Sequence, residues 1–79
     1  MAYVKIKSIG KQHILSKRDY EYIRSHLGIL LPVMSINFTP DGQIWGMAVY
    51  TDDANDCISL FVDTNEIKYE VIIDGYSNY

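Results

Sequence analysis

Val33-Met34-Ser35-Ile36-Asn37-Phe38-Thr39-Pro40-Asp41-Gly42-Gln43-Ile44-Trp45-Gly46-Met47-Ala48-Val49-Tyr50-Thr51 is the stretch that decides the fold. Apolar residues recur in it with period two, broken once by Pro40-Asp41-Gly42. Proline presets φ, aspartate bonds its own backbone and glycine takes the left-handed position, so the break is a turn between two strands, 33–39 and 43–51. Downstream, 57–63 and 66–73 alternate in the same way, separated by an Asp52–Asp56 loop and a tight Asp63-Thr64-Asn65-Glu66 turn. Strands at this spacing with turn residues between them predict a β-meander of sequential antiparallel neighbours.

Upstream of that stretch the period changes. Residues 2–9 alternate Val4 and Ile6 with Tyr3, Lys5 and Lys7, which predicts a first strand. Ser16 then stands as a helix cap with Asp19 three residues on, and Leu15 is placed to staple to Tyr20. Tyr20, Ile23 and Leu27 recur at helical steps, and Gly28 provides a left-handed stop with Ile29 packing back on Ile23. The fold expected is α+β, one helix packed on a four- to five-stranded, mainly antiparallel sheet in the order β-α-β-β-β-β. It is a single domain over 1–79. The helix-facing side takes Val4, Ile6, Met34, Ile36, Phe38, Met47, Val49, Ile58, Leu60, Val62, Tyr69, Val71 and Ile73, and Trp45 is expected in the core. The other side, with no second helix to cover it, carries Tyr3, Ile44, Tyr50, Phe61 and Ile72 among Lys5, Ser35, Asn37, Ser59, Lys68 and Glu70.

The residue inventory excludes several classes of chemistry. With 79 residues and 48% hydrophobic content the chain suffices for one small core, and its one cysteine, Cys57, excludes an internal disulfide. Its longest apolar run, 29–34, is far short of the roughly 18 residues of a membrane span, and its start lacks a signal-peptide layout, so no membrane association and a cytoplasmic setting are expected. His13, His26 and Cys57 show neither C-x-x-C nor H-x-x-x-H spacing, so no metal is expected on them. The 52–63 stretch resembles an EF-hand loop only until its third and sixth positions, which are Ala54 and Cys57. No phosphate loop and no G-x-G-x-x-G are present, so neither a cofactor nor an enzymatic activity is expected.

Charge is the uneven feature. Residues 1–28 carry Lys5, Lys7, Lys11, Lys17, Arg18 and Arg24 against Asp19 and Glu21, a sum of +4. Residues 29–79 carry Lys68 against Asp41, Asp52, Asp53, Asp56, Asp63, Glu66, Glu70 and Asp74, a sum of −7, and the two make the net −3. Such an acidic segment repels phosphate, which disfavours direct nucleic-acid binding, and it suits steering toward a basic groove in a partner protein. Lys17 and Arg18 oppose the helix dipole in the first turn, a local rule broken with no gain visible in the sequence.

Tyr50 through Asp56, Ile58 through Asp63 and Val71-Ile72-Ile73-Asp74 together resemble the phage uracil-DNA glycosylase inhibitors, a family of DNA mimics. Lys5, Lys7 and Lys11 stand where that family has an acidic first strand. The resemblance implies Asp52, Asp53 and Asp56 as phosphate mimics, and more generally suggests a small phage or mobile-element protein that blocks a host or defence enzyme. The function expected is therefore a small acidic binding protein in the host cytoplasm that inhibits a nucleic-acid-acting or defence enzyme, partly by acidic mimicry. Its partner-binding residues are expected to be Asp52, Asp53, Asp56, Asp63, Glu66, Glu70, Tyr50 and Phe61. The alternative is a structural or self-associating module that forms a homodimer through the uncovered sheet face.

Overall fold

A computed structural model describes residues 2–10, 15–52, 55–62 and 66–73. Its elements are β1 (Ala2–Ile9), α1 (Lys17–Ser25), β2 (Leu30–Phe38), β3 (Ile44–Tyr50), β4 (Cys57–Phe61) and β5 (Ile67–Ile73). The α+β class and the order β-α-β-β-β-β stand as expected.

Local chemistry builds α1 as read. Ser16 is extended at the cap, φ −63° and ψ 159°, and its Oγ accepts from the Asp19 N–H at 3.1 Å. Nine residues are too few for a helix to be stable by itself, so α1 depends on what it packs against. Ile23 is its one fully buried side chain, with Leu15, Tyr20, Tyr22 and Leu27 against the same core. Gly28 ends the turn after the helix at φ +80°, and its N–H bonds to the Ile6 carbonyl at 2.9 Å, tying the helix exit to β1. Ile29 does not return to Ile23. It is 52% exposed, and Leu27 takes the inward position.

The strand order is β4-β3-β2-β1-β5, antiparallel at every step, which corrects the meander. β5 pairs with β1 and not with β4: Val4 faces Val71, Ile6 faces Tyr69 and Ala2 faces Ile73. A meander would have left β1 with one neighbour at most, whereas its Val4 and Ile6 are fully buried, as suits a strand flanked on both edges.

That order forces a shape. Four antiparallel steps leave β4 and β5 running the same way, yet only residues 62–66 join them. A flat sheet would ask that link to cross four spacings of about 4.8 Å and to return the length of β4, a path of roughly 25 Å. Six residue steps reach only about 20–22 Å when fully extended, so the sheet must bend until its two ends approach. The bend falls in β2, whose Leu30, Leu31 and Pro32 pair with β1 while Val33 to Phe38 pair with β3. A register irregularity follows at once, between Val33 and Ser35, and Pro32 has no N–H to give to a ladder.

The core fills the inside of the bend: Val4, Ile6, Ile9, Leu31, Met47, Val49, Ile58, Leu60, Val62 and Ile67, with Ile23 of the helix. Three expected members lie elsewhere. Met34 (48% exposed) is the extra residue at the β2 irregularity, while Phe38 (58%) and Ile73 (55%) sit at strand ends. A second irregularity, between Asn37 and Phe38, makes Trp45 the extra residue of β3. Ile44 therefore packs on the core and Trp45 turns out, the reverse of expectation. A third, between Ile6 and Ser8, skips Lys7 and so brings Ile9 inward. Each bulge shifts the alternation by one residue, which exchanges the two faces beyond it.

Candidate functional site

Two surface regions collect the residues that the charge and aromatic patterns single out. The first is the acidic β3–β4 turn. Its carboxylates meet the basic start of α1. The Arg18 guanidinium donates to Asp56 Oδ2 and also lies 3.8 Å from Asp19 Oδ1. The Tyr22 hydroxyl donates to Asp52 Oδ1 at 3.3 Å, and Asp56 Oδ1 accepts from the Cys57 N–H at 2.9 Å. Burial raises the Tyr22 phenol above the ordinary tyrosine range, and the negative charge of Asp52 adds to the rise. On its other side the Tyr22 ring stacks on His26, centroids 4.0 Å apart and planes 17° apart. His26 Nδ1 sits 2.8 Å from the Tyr22 carbonyl and 2.9 Å from the Ser25 hydroxyl.

These contacts explain one of the two adverse cations at the helix start, Arg18. Arg18 gives up a little to the helix dipole and gains a carboxylate thirty-eight positions away. The +4 and −7 segments thus partly neutralise each other across the fold. Between α1 and the turn lies an open cavity of about 440 Å³, with Tyr22, Thr51 and Ile58 among its walls.

The second region is the outward face of β2, β3 and β4. Trp45 (38% exposed) and Phe61 (41% exposed) stack there with centroids 6.3 Å apart and planes 23° apart. Gly46 is the ladder partner of Phe61 and of Asn37, so the strand between them contributes no side chain at that point. A Cβ on Gly46 would lie 3.3 Å from the Leu60 carbonyl, closer than ordinary contact, and it would shallow the surface as well. Met34, Ser35, Asn37, Trp45, Ala48, Ser59 and Phe61 line the resulting groove of about 300 Å³. None of its lining residues is charged.

The expected site residues therefore separate. Asp52 and Asp56 lie at the turn with internal partners, and Phe61 lies on the groove. Tyr50 is half-buried opposite Cys57, at the turn end of the β3–β4 ladder. Glu70 is exposed on β5 directly opposite Lys5, an oppositely charged cross-strand pair. Glu66 is half-buried beside Gly10, whose N–H bonds to its carbonyl at 2.5 Å. Asp53 and Asp63 lie outside the described residues, as does His13. Met34 goes unread as a surface residue, and Trp45, an aromatic anchor by type, reads as core, because their alternation assigns them inward. The available signal was Trp45-Gly46 inside a strand, since an interior glycine often marks a bulge.

Among the described residues, no group of three or more histidine, cysteine, aspartate or glutamate side chains stands where it could hold a metal, and no helix is long and apolar enough to cross a membrane. No protein-family model, curated protein or solved structure matches the chain.

Proposed function

We propose that this chain is a small binding protein that acts by contact with a partner protein, and that its contact surface is the Trp45–Phe61 groove. One observation carries the reading: a stacked tryptophan–phenylalanine pair is held exposed above a glycine on a rigid sheet. Large apolar groups left in water at a fixed position, beside small polar groups such as Ser35, Asn37 and Ser59, have the make-up of an interface core with its rim. The groove carries no charge, so the partner surface it suits is uncharged and apolar, and binding there responds little to salt.

Inhibition of a nucleic-acid-acting or defence enzyme by acidic mimicry is the less supported form of this function. Arg18 and Tyr22 already engage Asp56 and Asp52, so a basic partner would have to compete with contacts the fold makes for itself. The test is affinity capture from bacterial lysate, with and without phage infection, at low and high salt. Trp45→Ala/Phe61→Ala is expected to abolish a capture that wild type and Asp52→Lys/Asp56→Lys both retain at either salt. Capture lost by the lysine variant and kept by the alanine variant would reverse the assignment.

A further inference from the structure

The groove has a direction as well as a composition. Gly46 and Ala48 are the outward residues of β3 along it, so its floor follows that strand with no side chain larger than a methyl. Their ladder partners make the walls, Asn37 and Ser35 on β2 and Phe61 and Ser59 on β4, all exposed, with Trp45 at the end nearer the β2–β3 turn. The walls rise from strands about 9.6 Å apart, two spacings of about 4.8 Å. Asn37 Nδ2 lies 3.9 Å from the place a Gly46 Cβ would take, so its amide stands beside the floor.

We propose that the occupant of this groove is an uncharged, proline-rich segment of the partner in the polyproline II conformation, which rests on the groove being the contact surface. Width and position exclude two other common modes of peptide recognition. An α-helix is about 10–12 Å across with its side chains, too broad to enter between walls that stand on strands about 9.6 Å apart. An added strand pairs at a sheet edge, whereas the groove lies over β3, whose two edges are taken by β2 and β4. A polyproline II segment is narrow and has no internal hydrogen bonds, so its carbonyls are free to accept. Its prolines bring no N–H, which matches a groove that offers the Trp45 indole N–H and the Asn37 amide as donors. Pyrrolidine rings supply apolar faces for the stacked aromatic pair, and neither the segment nor any lining residue is charged. At about 3.1 Å per residue, two or three residues cover the roughly 7 Å of floor from Gly46 to Ala48. Such a segment is already extended before it binds, so a groove of about 300 Å³ suffices to hold it.

Amide ¹H–¹⁵N spectra of the full chain, titrated with acetylated and amidated decaproline, test it, with a neutral glycine–serine decamer as the control peptide and Trp45→Ala and Asn37→Ala as variants. Saturable shifts are expected at the Trp45 indole N–H, the Asn37 side-chain amide and Gly46, with a Kd between roughly 10 μM and 1 mM that salt leaves unchanged. Trp45→Ala should weaken binding more than about tenfold, and Asn37→Ala, at an exposed position that leaves the fold intact, about three- to tenfold. No approach to saturation by about 5 mM would overturn the proposal. So would equal shifts from the glycine–serine decamer, or decaproline bound as tightly by Trp45→Ala. Groove resonances that move only with the chain's own concentration would overturn it too and give the groove to a second copy. Failure with decaproline leaves the groove as contact surface if Trp45→Ala/Phe61→Ala still abolishes lysate capture; capture that ignores both residues removes the groove itself.

Discussion

The claim that the acidic turn serves the chain's own helix makes the Arg18–Asp56 pair the first thing to measure. Removing both side chains singly and together, Arg18→Ala, Asp56→Ala and the double variant, isolates their mutual term. The pair is close, but its side chains are 76% and 36% exposed, so the effective dielectric is nearer water than protein. Two unit charges about 4 Å apart interact by about 1 kcal/mol in water and about 4 kcal/mol at a dielectric of 20. Exposure places this pair near the lower figure, and ordering two long side chains takes part of it back, leaving a coupling of roughly 0.3–1 kcal/mol. Urea unfolding of the four proteins at low salt and at about 1 M salt, where the screening length falls to about 3 Å, should show that coupling and then its loss. A coupling of zero at low salt, or one that salt leaves unchanged, would refute the idea that the turn and helix neutralise each other, and Asp56 would return as a free contact residue.

Other outcomes follow from the same packing. Ile23→Ala should cost about 2–5 kcal/mol, because Ile23 is fully buried and no neighbour on the nine-residue helix replaces it. Against a total of roughly 4–12 kcal/mol for a domain this size, that lowers Tm by roughly 10–40 °C in calorimetry. Gly28→Ala should cost about 1 kcal/mol and Gly28→Asn less; no atom lies near the added Cβ, so the cost is that of the left-handed backbone at φ +80°. Tyr22 has a raised pKa in the fold, so the stability it contributes is present below the ordinary tyrosine pKa of about 10 and is lost as pH climbs through the folded value. Unfolding followed from pH 8 to above about 11 should therefore show a steeper alkaline loss in wild type than in Tyr22→Phe.

The parts of this fold legible in the sequence are those made by neighbours. Ser16 with Asp19, and Pro40-Asp41-Gly42 with Gly42 at φ +90° and the Thr39 N–H on the Gln43 carbonyl at 2.7 Å, are local devices whose residues name their geometry. The pairing of β1 with β5 joins chain ends, and nothing in Val71 or Tyr69 specifies Val4 or Ile6 over another strand. Bulges at Lys7, Met34 and Trp45 then exchange faces by single residues, and those shifts decided the candidate site. A tryptophan in an alternating strand reads as core until the extra residue is known. Likewise, the adverse charge of Arg18 became intelligible only once Asp56 stood beside it.

Trp45 is the sole tryptophan, so it reports on the proposed surface without any added label elsewhere. The most direct measurement is the ¹⁹F spectrum of the chain carrying 5-fluorotryptophan, titrated with the unlabelled captured partner and checked by acrylamide quenching. A resonance that moves with saturation, together with loss of quencher access, is the result expected of a partner seated on the Trp45–Phe61 groove. A resonance unmoved at saturation, with Asp52→Lys/Asp56→Lys weakening the complex, would contradict it and give the contact to the acidic turn.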